Sequence, residues 1–134
     1  MINHHAALIY TMVLVAAADR NRTDAELGAI GDSVRHLPVF ADYDVQQIAK
    51  TAAACAEILA EKDGFEKVMS VVKEALPKRL RETAYALACD VAAADGKVTQ
   101  EEIRLLEAIR DRLELSRLIA AAVERGARAR HLTL

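Results

Sequence analysis

The chemistry-bearing residues of this chain sit in one short stretch and its weaker copy. From Val91 the sequence reads Val-Ala-Ala-Ala-Asp-Gly-Lys-Val-Thr-Gln-Glu-Glu, ending at Glu102. Sliding Val15–Glu26 onto it at a 76-residue offset pairs Val15, Ala16, Ala17, Ala18, Asp19, Thr23 and Glu26 with Val91, Ala92, Ala93, Ala94, Asp95, Thr99 and Glu102. Alanine matches carry little weight in an alanine-rich chain, so the information lies in the Asp, Thr and Glu. From Asp95 onward, the order carboxylate, Gly96, aliphatic Val98, Thr99 and Glu102 matches the second half of a calcium-binding EF-hand loop. A Glu in the first turn of a new helix can reach back to a cation held by the Asp of the preceding turn. The loop's first half is missing, because Val91 and Ala93 stand where its leading acidic residues belong, so a true EF-hand is excluded.

What remains is a half-site of two or three carboxylates, fewer than the six to eight oxygens Ca²⁺ takes. Water or another segment must complete it. Asp90 is a further candidate ligand, but it lies roughly 140° from Asp95 on an ideal helix; it serves equally well as a cap or as a partner for a neighbouring helix. The metal candidates are therefore Asp95, Glu102, Asp19, Glu26 and Asp90, for a divalent ion such as Ca, Mg, Mn or Zn. The competing reading is structural. Thr99 and Glu102 form a capping box whatever else they do, and first-turn carboxylates complement the helix dipole. In the first copy Arg20 replaces Gly96 and Arg22 follows, two cations able to neutralise the carboxylates, which makes Asp19 and Glu26 the poorer site. Ring nitrogens of His4 and His5 would shift a site toward zinc or manganese, against the plainer expectation of frayed terminal histidines. His36 should complement a helix C-terminus and His131 should sit on the surface.

These residues need helices to hold them. An apolar run predicts a first, central helix from His4 or His5 to Ala18. Thr23 and Glu26 cap a second, with a stripe of Leu27, Ile30, Val34 and Leu37 closed by Pro38. Asp44 and Gln47 offer a capping box for a third, carrying Val45, Ile48, Ala52, Cys55, Ile58 and Leu59 to about Lys62. Gly64 breaks the chain as a left-handed helix end, and Phe65 to Leu76 form a fourth. Pro77 opens a fifth at its first position, lined by Leu80, Ala84, Leu87 and Val91. A sixth runs from Thr99 to about Leu113, with Ile103, Leu106, Ile109 and Leu113 inward, and a seventh from about Ser116 to Arg125. Residues 126–134 are left as a basic tail. The expectation is an all-α, single-domain bundle of about seven helices, built from two pseudo-symmetric helix-turn-helix units with the first and fifth helices central.

Composition agrees. The chain has 134 residues, 53% hydrophobic but only 4% aromatic and without Trp, a balance that favours alanine-rich helices over sheets. A net charge of -2 supplies no general basic field, so nucleic acid is not an expected partner. Cys55 and Cys89 lie in apolar helical patterns and read as buried free thiols. No Lys or Arg precedes the apolar run of Ala6 to Ala18, which argues against a leader, and the run is too short to span a bilayer. A soluble cytoplasmic protein without membrane insertion is expected. No nucleophile elbow, phosphate loop or HExxH points to an enzyme. Arg125, Arg128 and Arg130, with Lys78, Arg79 and Arg81, make basic patches for an acidic partner or anionic surface, or else solvated helix ends.

The duplicated Ala-x-x-Asp turns, each with a Glu seven residues on, within about seven helices, resemble the bacterial tellurite-resistance TerB family over roughly Ala6 to Leu115. The second motif matches well, and Arg20 departs from the Gly common in the first. The resemblance implies a compact helical bundle with a divalent-metal site from Asp19, Glu26, Asp95 and Glu102. It also implies a cytoplasmic module working with protein partners, some membrane-associated, in metal-oxyanion or envelope stress. A metal-free adaptor domain mediating protein–protein interaction is the alternative.

Overall fold

The computed structural model describes residues 1–18, 24–94 and 96–134. The described residues form seven α-helices and no strand: α1 (His4–Ala18), α2 (Asp24–His36), α3 (Ile48–Leu59), α4 (Gly64–Ala75), α5 (Arg81–Ala93), α6 (Gln100–Arg112) and α7 (Arg117–Arg130). Short 3₁₀ turns cover Pro38–Phe40, Val45–Gln47 and Lys78–Leu80. The all-α bundle is as the hydrophobic spacing requires.

α1 is apolar on every side and buried from Ala7 to Ala16 without a break, which is what a helix lacking a polar face must do. Its most extensive interface is with α5. The small, buried Ala84, Ala88 and Ala92 let helices approach α5 closely. α3 and α4 pack on α1, and α7 packs on α5. The outer helices cross over, α2 touching α5 and α6 touching α1. No helix among the described residues is long and apolar enough to cross a membrane.

Several local expectations change. Leu27 and Ile103, assigned to inward stripes, are 52% and 38% exposed. Asp44 caps the turn Val45–Gln47 by accepting from the Gln46 N–H at 3.0 Å, and α3 begins only afterwards. The left-handed residue between α3 and α4 is Asp63, at φ 55°, not Gly64. Gly64 is required for space: a Cβ there would stand 2.0 Å from the Leu59 carbonyl oxygen. Pro77 precedes a 3₁₀ turn instead of opening α5. α7 continues through Gly126 to Arg130 and buries Ala127, so most of the expected basic tail is helix.

Candidate functional site

The turn between α5 and α6 positions the better of the two acidic motifs. Gly96 sits at φ +80°, a conformation that a side chain disfavours, and this reverses the chain after α5. Thr99 then takes the extended N-cap conformation, φ -79° and ψ 163°. Its hydroxyl accepts the Glu102 N–H at 3.1 Å, while Glu102 Oε1 accepts the Thr99 N–H at 3.0 Å and the Thr99 hydroxyl at 3.2 Å. The capping box expected from the sequence is complete.

Capping engages only half of the carboxylate. Glu102 is 1% exposed, and its Oε2 is buried with no hydrogen-bond partner among the described residues. A buried carboxylate oxygen without a partner is costly, because desolvation is not repaid. Its counterpart 76 positions earlier, Glu26, is likewise fully buried on α2. Asp95, Asp19, Thr23, Arg20 and Arg22 lie outside the described residues. Among the described residues no group of three or more His, Cys, Asp or Glu is placed to hold a metal ion.

Asp90 is engaged elsewhere. Its Oδ1 accepts from Arg130 at 2.7 Å and lies 3.4 Å from His131 Nε2, so of the roles open to it the structure displays pairing with a neighbouring helix. That pair fastens the end of α7 to α5. His131 is thus half-buried beside a carboxylate, not a free surface group. His36 donates from Nδ1 to the Asp32 carbonyl at 2.9 Å, at the end of α2 as expected.

Sequence reasoning missed two groupings. His5 is not frayed: it is 6% exposed, donates from Nε2 to the Val39 carbonyl at 2.8 Å and lies 3.3 Å from Asp42. Phe40 and Tyr43 pack their rings against it at 5.6 and 5.2 Å. The available signal was a polar residue in the first turn of a helix apolar all round, for burial then demands a partner. The second grouping joins α5 to α7. The Tyr85 hydroxyl donates to Glu124 Oε2 at 2.5 Å, and burial, with that bond, pushes the phenol well above its ordinary range. Cys89, one turn on, is free and buried; desolvation first, then the Glu124 charge, push its thiol up to about 12. Cys55 is also free, pushed up to about 12 by burial, and donates to the Tyr10 carbonyl at 3.8 Å. Both thiols are the buried free cysteines expected.

No curated protein and no solved structure matches the chain. A family model does: the one described as tellurite resistance protein TerB covers residues 5–124, taking in both acidic turns, the whole of α1 to α6 but its first residue, and half of α7. The all-α bundle, the duplicated Asp and Glu spacing and this match lead to one assignment, that the chain belongs to the TerB family.

Proposed function

We propose that this chain is a non-catalytic TerB-family module that binds a divalent metal ion through its acidic turns. The observation that carries this reading is Glu102. One of its oxygens completes a cap, and the other is buried with no hydrogen-bond partner among the described residues, a cost that a cation would remove. Asp95, in the same turn, and Glu26 with Asp19 in the matching turn are the further ligands. All are hard oxygen donors, which suits Ca²⁺, Mg²⁺ or Mn²⁺ better than a thiolate-seeking ion. Asp90 is left to Arg130. The metal supplies charge neutralisation at the turn between two helices, so its effect is to rigidify the α5–α6 junction. The two turns act as related halves of one module, which works in the cytoplasm with protein partners, some of them at membranes, in tellurite or metal stress.

Calorimetric titration of the metal-free chain with Ca²⁺, Mg²⁺, Mn²⁺ and Zn²⁺ tests this. Binding by the wild type that is lost in Asp95→Ala and Glu102→Gln is expected. No binding, or equal binding by the variants, overturns it. The second reading, a metal-free adaptor, is favoured by the complete capping box, which gives Thr99 and Glu102 Oε1 a structural role by themselves. Under it, Glu102→Gln keeps the cap and added metal leaves the melting temperature unchanged.

A further inference from the structure

Two grooves run along the bundle, and their floors correspond. The first, about 490 Å³, lies between α1, α2 and α3, and its described lining is apolar, including Val13, Ala16, Ala17 and Ile30. The second, about 340 Å³, lies between α5, α6 and α7, and its floor includes Cys89, Ala92, Ala93 and Leu106. Each of those four stands 76 positions after its counterpart in the first. The alanine pair leaves both grooves open. They differ in charge among the described residues: the first has no charged lining, whereas the second is edged by Glu124 and Arg128, at i and i+4 on α7, and by His131 just past its end.

Two of those three are already engaged. Glu124 accepts the Tyr85 hydroxyl, and His131 lies against Asp90, which Arg130 also neutralises. Arg128 is exposed and has no ion-pair or hydrogen-bond partner among the described residues. A free guanidinium at the lip of an apolar groove is the recognition pattern for a molecule with a hydrocarbon chain and an anionic head. The planar fork suits a carboxylate, which it binds through two parallel N–H donors. We propose that the α5–α6–α7 groove is a binding site for a small alkyl carboxylate, its chain lying on Ala92, Ala93, Val98 and Leu106 and its head pairing with Arg128. The volume falls in the range of about 300–1,000 Å³ typical of small-molecule sites. Because Arg128 is solvated, the chain supplies most of the affinity and the head sets direction and sign.

The test is an NMR titration of the full ¹⁵N-labelled chain with hexanoate, octanoate and decanoate, each below its micelle concentration. Amide shifts should centre on Ala92, Ala93, Ala127 and Arg128. Affinity should rise about tenfold for every two methylenes, until the groove is full. Octyltrimethylammonium should bind at least tenfold more weakly than decanoate. Arg128→Glu should weaken octanoate about tenfold without moving the melting temperature, since Arg128 holds nothing in the fold. Ala93→Leu should remove the gain from the longest chain by narrowing the floor. Equal shifts at Ala53 and Ala56 in the first groove, equal binding of the ammonium, or no response to Arg128→Glu would each overturn the proposal. These outcomes are read without added metal, so they do not depend on metal binding at the acidic turns.

Discussion

Thr99 and Glu102 illustrate how little of a side chain's role its spacing reveals. The box itself was legible in Thr-x-x-Glu, and the structure closes it with three hydrogen bonds. Thr99→Ala removes the acceptor for the Glu102 N–H and is expected to cost about 1 kcal/mol in denaturant unfolding. The two cysteines make a second residue-scale case. Their thiols are raised from an ordinary 9.0 to about 12 in the folded chain, so the neutral form is favoured by folding. A group with a raised folded pKa contributes stability that is whole below its unfolded value and is lost as pH rises toward the folded one. Unfolding free energy should therefore decline between pH 9 and 12, and the double variant Cys55→Ala, Cys89→Ala should flatten that decline in pH-dependent urea titrations. Alkylation at pH 8 should be slow for both thiols until denaturant is added.

At the scale of elements, helix existence followed from period and composition, while the junctions depended on backbone contacts that no pattern encodes. α1 was legible because thirteen positions from Ala6 to Ala18 offer almost no polar face. The α3–α4 junction was not. Asp63-Gly64 reads as a glycine-terminated helix, but Asp63 takes the left-handed turn and Gly64 admits the Leu59 carbonyl. Only the close approach of two backbones, absent from the sequence, separates those cases. The two residues should respond in opposite directions. Gly64→Ala sets a Cβ against a backbone oxygen that cannot step aside, at an expected cost of about 2–3 kcal/mol. Asp63→Gly relieves the positive φ and should stabilise by up to about 1 kcal/mol, read as a higher urea midpoint at constant slope. The same limit hid His5 and the Tyr85–Glu124 bond, whose partners lie 34 and 39 positions away.

For the whole molecule, cohesion comes from the α1–α5 contact, and ion pairs tie the outer helices to it and to one another. Arg112 on α6 binds Glu66 on α4, Lys73 on α4 binds Glu114, and Arg130 on α7 binds Asp90 on α5. Arg112 and Lys73 hold Glu66 and Glu114 below their ordinary 4.5, so both pairs contribute above that pH, and their contribution is lost as pH falls through the lowered values. Because these carboxylates are exposed, salt should mask much of the effect. α7 offers the sharper test of how the molecule is assembled. Its apparent tail buries Ala127 and supplies the Arg130 and His131 that meet Asp90, so it belongs to the packed body of the bundle. Deleting residues 132–134, which are exposed and make no ion pair among the described residues, should leave the thermal midpoint where it is. Deleting 127–134 removes the buried alanine, the last turn of α7 and the clamp on Asp90, and should cost about 1–3 kcal/mol. Equal midpoints for the two truncations would mean that α7 ends its structural role near Arg125, as a reading of Gly126 as a helix terminator implies.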